Sequence, residues 1–199
     1  MLINDFLKQL ENRYEIILVS KSERRKQLLQ QFGIKFITID TIHTDETAPL
    51  HLTPVETAKY IANKKAEAYL LQLKENQLVI TCDTIVLHNG KILGKPNDRK
   101  QAIEFLNLLS NSKHTVISGV CIMTTKLKKI FEAETNVWFD KLSNDDIIYY
   151  VDNFKPFDKA GAYGIQEWIG LIGCSRIEGS FYNIMGLPVH LIYNELREY

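Results

Sequence analysis

The sequence predicts an α/β fold: a central mixed, twisted β-sheet with flanking helices. Three observations carry this. Helix and strand patterns alternate in the early part of the chain, hairpin patterns occupy the middle, and an apolar run ends in a polar turn that opens a helix at once. Alternation favours parallel strands and hairpins favour antiparallel ones, so a sheet containing both is expected. At 199 residues the chain is long enough for one domain with a sizeable core, or one domain with a small lobe.

The organising stretch comes first. Ile16-Ile17-Leu18-Val19 reads as a buried strand, and Ser20-Lys21-Ser22-Glu23-Arg24-Arg25-Lys26 follows directly. Ser22 suits a helix N-cap, Leu28, Leu29 and Phe32 fall on one face, and Gly33 marks the stop. Glu23 complements the helix dipole, whereas Arg24, Arg25 and Lys26 oppose it at a cost of about 0.3–1 kcal/mol each. A bound phosphate would remove the conflict by taking hydrogen bonds from helix N–H groups, serine hydroxyls and guanidinium groups. A solvated basic turn on a surface helix fits the same residues.

Residues 34–39 read as a strand that empties into a polar loop, 40–52, holding His43, Asp45, Glu46 and His51. Thr53-Pro54-Val55-Glu56 is a capping box with proline at the first helical position. Val55, Ala58, Ala62, Ala66, Tyr69 and Leu73 then mark a helix face, leaving Lys64, Lys65 and Glu67 on another side. A strand at 78–82 is expected to end at Asp83-Thr84. Residues 84–93 read as a hairpin about Asn89-Gly90, closed by Gly94-Lys95-Pro96.

Asn97 or Asp98 can cap a helix with Ala102, Phe105, Leu106 and Leu109 inward, and strands at 116–123 and 130–139 form a second hairpin. Ser143 caps a short helix through Tyr150. Residues 155–166 are polar and glycine-punctuated, 171–177 read as a strand, and Pro188 opens a C-terminal helix. There is no internal repeat, low-complexity tract or linker.

Lys plus Arg and Asp plus Glu both number 24, so a general attraction to nucleic acid or to an acidic membrane is not expected. A phosphate partner has to be gripped locally. Cys82, Cys121 and Cys174 are an odd number without a CxxC pair, which argues against a disulfide framework or a structural zinc site and for a reducing cytoplasm. Asp5, Lys8, Glu11 and Arg13 interrupt the first apolar residues, so no signal-peptide core is expected, and no apolar run approaches membrane-spanning length.

Asp83, at the end of an apolar strand, occupies a usual ligand position in α/β sheets; a hairpin-starting turn aspartate is the plain alternative. Glu46, with Asp45, could supply hard oxygen ligands for Mg²⁺ or Mn²⁺, although acidic loops are commonly just solvated. Lys65 and Lys95 could neutralise a phosphate, with the backbone around Lys95 fixed by Gly94 and Pro96. The histidines lack metal-ligand spacing, and His114 and His190 read as structural. In Asp158-Lys159-Ala160-Gly161-Ala162-Tyr163-Gly164-Ile165-Gln166 the small residues permit close backbone approach to a ligand, and Gln166 can both donate and accept; a bulged glycine-rich loop is the other reading.

Taken together, Ser20 to Arg25, Asp45-Glu46, Lys64-Lys65-Ala66, Cys82-Asp83-Thr84, Leu93-Gly94-Lys95-Pro96, Asp158 to Gln166, Arg176-Ile177-Glu178-Gly179 and Gly186-Leu187-Pro188 resemble, in order, the Maf family of nucleoside triphosphate pyrophosphatases. Two positions depart from it: Glu23 stands where proline is usual, and Glu167-Trp168 follow Gln166 where glycine is common. The resemblance implies an inosine triphosphatase-like (Maf/Ham1) fold over 1–199, as a single domain or as two lobes around a cleft. It also implies hydrolysis of the α–β phosphoanhydride of a nucleotide, with Asp83 as proton acceptor for water and Glu46 and Asp83 at a divalent cation (Mg²⁺ or Mn²⁺). Ser20, Ser22, Arg24, Arg25, Lys65 and Lys95 are then implied around the phosphates. Arg24, Thr84 and Gln166 resemble the specificity trio of the dTTP/UTP branch. The Gln166 amide matches the O4 acceptor and N3–H donor of uracil or thymine.

The expected function is a cytoplasmic dTTP/UTP pyrophosphatase that clears the nucleotide pool, with modified pyrimidine nucleotides as further substrates and a homodimer as a family-level expectation. A 7-methyl-GTP pyrophosphatase and a non-catalytic, septum-related regulator are the alternatives.

Overall fold

A computed structural model describes residues 3–41 and 44–199; His43 of the acidic loop lies outside the described residues. The strands are β1 (Glu15–Val19), β2 (Ile37–Ile39), β3 (Gln77–His88), β4 (Lys91–Leu93), β5 (Ser112–Met123), β6 (Lys128–Phe139) and β7 (Cys174–Glu178). They form one sheet in the order β2-β1-β3-β5-β6-β7, with β4 on β3. The helices are α1 (Ile3–Arg13), α2 (Glu23–Gln31), α3 (Pro54–Glu67), α4 (Arg99–Leu109), α5 (Asn144–Phe154), α6 (Trp168–Gly173), α7 (Phe181–Ile184) and α8 (Val189–Leu196). β1 is parallel to β2 and β3, whereas β4 and β7 are antiparallel to their partners, so the sheet is mixed. Residues fall into two compact units, one of Met1–Asp83, Ser118–Ala133 and Gly186–Tyr199, the other of Thr84–Ile117 and Glu134–Met185.

In the first unit, the parallel strands bury Ile16, Ile17, Leu18, Val19, Leu78, Val79 and Ile80, the continuous apolar run that a sheet covered on both faces requires. The Thr53–Glu56 capping box starts α3, and Ala58, Ile61, Ala62 and Ala66 form its buried stripe. Two contacts set α3 tightly on the sheet. The Thr81 hydroxyl donates to the Ala62 carbonyl at 2.6 Å, and a Cβ at Gly119 would lie 2.3 Å from the Ala58 carbonyl. Only glycine admits the helix backbone that closely.

The second unit packs Leu106 and Leu109 of α4 and Ile147, Tyr150 and Val151 of α5 with Val137, Phe139, Ile165 and Ile169. His114 is fully enclosed there, edge-on to Phe139 and Tyr163, with Nε2 2.7 Å from the Tyr163 hydroxyl.

Four sequence expectations are corrected. The strand expected at 34–39 is shorter: only Ile37–Ile39 pair with β1, from Ile17–Ile37 onward. The α3 helix ends at Glu67, and Tyr69 reaches the core from a tightened turn before a 3-10 segment at Leu70–Gln72. The strand at 78–82 and the first arm of the hairpin are one twelve-residue strand, β3, running straight through Asp83 to the Asn89-Gly90 turn, where φ is +47° and +76°. Residues up to Gly173 in the stretch expected as a strand are helical in α6, since a short apolar run cannot by itself distinguish buried helix from strand. α1, with buried Leu7 and Leu10, has no counterpart in the sequence reading.

Burial, with a smaller push from His88, holds the His114 imidazole down to a pKa of about 3. The unfolded chain takes up this proton near pH 6.5 and the folded one only near 3, so this stabilisation is intact above about 6.5 and declines as pH falls. Between pH 7 and 4.5 the loss is about 2–3 kcal/mol. Urea unfolding should show the fall in stability over that interval reduced by about this amount in His114→Gln; an identical fall in the two proteins contradicts it.

Candidate active site

The site begins with the register between α3 and β3. The hydroxyl of Thr81 is tied to Ala62. Asp83, two residues on along the strand, shares the face of Thr81, and Lys65, three residues on along the helix, lies near the face of Ala62. Lys65 therefore meets Asp83, its Nζ 2.7 Å from Oδ1, and the same ammonium lies 3.1 Å from Glu46 Oε1. Lys65 and Asp83 are largely enclosed, with side chains 14% and 12% exposed, whereas Glu46 is 53% exposed.

Glu46 is presented by an anchored loop. The Asp45 carboxylate accepts from Thr47 N–H at 2.9 Å and lies 3.6 Å from Lys64 Nζ, and the bond from Thr47, more than Lys64, holds the Asp45 carboxyl below its usual range. Asp45-Glu46 thus face Lys64-Lys65 as successive pairs. Asp83 lies within β3 rather than at its end, but the parallel pairing of β1 with β3 stops at Leu18–Ile80. The carboxylate accordingly stands just past the carboxyl edge of the parallel strands, where the chain leaving β1 enters α2.

At that edge Ser20 Oγ accepts from Ser22 N–H at 3.1 Å, and Ser22 Oγ accepts from Arg25 N–H at 3.5 Å as the cap of α2. Lys26, one of the three cations that oppose the helix dipole in this turn, is answered by Glu23 at 2.7 Å. Arg25 Nε donates to the Gly186 carbonyl at 2.8 Å, and Cys82 Sγ donates to the same oxygen at 3.3 Å. That shared acceptor places the residue preceding Asp83 beside the first turn of α2, which also carries Arg24. Gly186, at φ +107°, is the participant that residue-by-residue reading missed, since a main-chain acceptor leaves no chemical signature beyond the glycine itself.

The remaining predicted residues belong to the second unit. Thr84 follows Asp83 on β3 and is half-buried, while Lys95 and Gln166 are exposed. The Gly94 carbonyl accepts from Gly161 N–H at 3.0 Å, so Gly94-Lys95-Pro96 lies against the glycine-rich segment. Gly161 has φ +67°, and a Cβ there would press on Val86 at 3.0 Å. Gln166 sits in a turn closed by Glu167 N–H donating to the Gly164 carbonyl at 3.0 Å.

Among the described residues, no three His, Cys, Asp or Glu side chains converge as a metal cluster. Glu46 and Asp83, approaching one cation from two sides, are nevertheless a chemically suitable pair for Mg²⁺ or Mn²⁺, which take one or two carboxylates together with phosphate oxygens. Cys82, Cys121 and Cys174 are free thiols, and no helix among the described residues is long and apolar enough to cross a membrane. A separate cleft lined by Tyr14, Glu15, Lys35, Phe36, Ile37 and Asn76 opens at the amino ends of the parallel strands and contains none of the predicted site residues.

Residues 15–199 match the family model described as Maf-like protein. The chain is 48% identical over 187 residues to a Bacteroides thetaiotaomicron protein named dTTP/UTP pyrophosphatase, covering 94% of this chain and 97% of the relative. It is 45% identical over 192 residues to a Christiangramia forsetii protein of the same name, covering 96% and 97% respectively. Its fold is similar to that of the Staphylococcus aureus Ham1 protein, at a TM-score of 0.56 and 19% identity over 92% of this chain and 98% of that one.

Removing Lys65 leaves the Asp83 carboxylate enclosed without its cation. Lys65→Met should lower stability by about 2–4 kcal/mol, and Lys65→Met with Asp83→Asn should recover part of that loss. Chemical denaturation of the single and double variants checks this, and a double variant less stable than Lys65→Met would contradict it.

Proposed function

The chain belongs to the Maf family, and from that premise we propose that it is a cytoplasmic, divalent-metal-dependent pyrophosphatase that cleaves dTTP and UTP, and modified pyrimidine nucleotides of like shape, to the monophosphate and pyrophosphate. The observation that carries this reading is the convergence of Glu46 and Asp83 on Lys65, beside the capped first turn of α2. The names of full-length relatives at 45–48% identity support the substrate assignment.

In phosphoryl transfer the protein mainly positions groups and stabilises charge. Asp83 accepts a proton from the attacking water, and the oxygen of that water bonds to the α-phosphorus as the bridging bond to the β-phosphate breaks. Lys65 orients Asp83 while the carboxylate awaits substrate. Arg24, Arg25, Lys65 and Lys95 bind the phosphate oxygens, and Ser20 and Ser22 shape the turn that receives them. A divalent cation held by Glu46 and Asp83 supplies further charge neutralisation on the phosphate oxygens when bound. Arg24, Thr84 and Gln166 set base preference, with the Gln166 amide accepting from N3–H and donating to O4 of the pyrimidine.

The direct test is pyrophosphate release from a panel of canonical and modified triphosphates with Mg²⁺, Mn²⁺ or chelator. dTTP and UTP should lead, and chelator should abolish turnover; dominant cleavage of 7-methyl-GTP, or binding without cleavage, would sink the assignment. Asp83→Asn should reduce kcat by about 10²–10⁴-fold with nucleotide affinity largely kept, as titration of nucleotide onto the inactive variant reads out. For Gln166→Glu, the ratio of kcat/KM for UTP to that for 7-methyl-GTP should fall by about 10–100-fold, and an unchanged ratio counts against base reading by this amide.

A further inference from the structure

Directly after the exposed Gln166 stands a carboxylate that caps nothing. Glu167 is the N-cap residue of α6, yet its side chain makes no capping hydrogen bond. It turns back into the second unit, where Oε2 accepts from the Tyr150 hydroxyl and Oε1 lies 3.2 Å from Lys159 Nζ. Tyr150 is completely buried, and its hydroxyl oxygen in turn accepts from Gly164 N–H at 3.0 Å. Lys159 is 8% exposed and is completed by Asp158 at 2.8 Å.

Gly164 and Glu167 are the two ends of the turn that carries Gln166, so one phenol grips both ends. The Glu167 side chain lies directly over Gly164, where a Cβ would come within 2.7 Å of its Cδ. Ile165 is buried, and Gln166 is the exposed residue among positions 164–167. Burial, reinforced by the bond to Glu167, pushes the Tyr150 phenol far up, so it remains a hydrogen-bond donor throughout the working pH range.

A network of this kind contains more ionic and polar bonding than a four-residue turn needs. Buried polar groups that are fully connected specify one arrangement, and a recognition amide has to be held within a fraction of an ångström to discriminate. We propose that Tyr150, Lys159 and Glu167 are positioning residues that hold the turn at 164–167 so that Gln166 presents its amide to the pyrimidine in one orientation. The inference rests on the reading of Gln166 as the base-contacting residue.

The test is a double-mutant cycle on kcat and KM for UTP and 7-methyl-GTP. Tyr150→Phe removes both hydrogen bonds while keeping the ring. It should raise KM for UTP about tenfold, leave kcat within about twofold, and lower the UTP to 7-methyl-GTP ratio of kcat/KM about tenfold. In a Gln166→Ala background the same substitution should change that ratio by less than about twofold. A general loss of structure would instead lower kcat for both substrates in both backgrounds. Glu167→Gln, which keeps size and removes only the charge, should show the same split in smaller measure, and it decides the matter where Tyr150→Phe does not fold.

If Gln166→Ala lowers the ratio while Tyr150→Phe and Glu167→Gln leave it intact, the network is overturned and base reading stands. Should Gln166→Ala itself leave the ratio unchanged, base reading fails and takes the inference with it. An equal effect of Tyr150→Phe in both backgrounds also overturns positioning through Gln166.

Discussion

Lys65 is the residue whose charge makes the rest of the first unit consistent. An enclosed carboxylate is costly unless paired, and Asp83 stands between Cys82 and Thr84 on β3, with no cation on its own strand beside it. The ammonium of Lys65 answers it at 2.7 Å and reaches Glu46 as well. That placement depends on α3 lying close to the sheet, which the absence of a side chain at Gly119 and the bond from Thr81 to Ala62 both enforce. One glycine, one hydroxyl and one lysine therefore fix where two carboxylates meet.

The basic first turn of α2 shows how a locally unfavourable arrangement is offset by its surroundings. Lys26 is paired with Glu23, and Arg25 is tied through Nε to the Gly186 carbonyl, which also accepts from Cys82. The shared acceptor connects the segment after β1 to the segment before α8 and aligns both with the residue before Asp83.

In the second unit, polar groups work by fixing backbone. Tyr150, Glu167 and Lys159 are drawn into the unit around one short turn, and the Gly94 carbonyl accepts from Gly161 N–H on the same glycine-rich segment. Such turns change shape easily when solvated. Enclosing their anchors in a low-dielectric interior strengthens each bond and makes any alternative geometry, which would strand a buried phenol or ammonium, expensive.

Much of this was written locally. The Ser22 cap, the Thr53–Glu56 box and the Asn89-Gly90 turn act through neighbours a few residues away, and the apolar runs of β1 and β3 mark buried strands by composition, so the sequence by itself determined the mixed sheet and most helix starts. It also determined which chemistry was present: two carboxylates, clustered cations and a glycine-rich segment ending in an amide. Tertiary structure alone decided that β3 continues through Asp83, that Lys65 stands between Glu46 and Asp83, and that Glu167 turns inward to Tyr150. The reason is distance along the chain: those contacts join segments that meet only after helix and sheet have packed, and no local pattern records which side chain will be facing which.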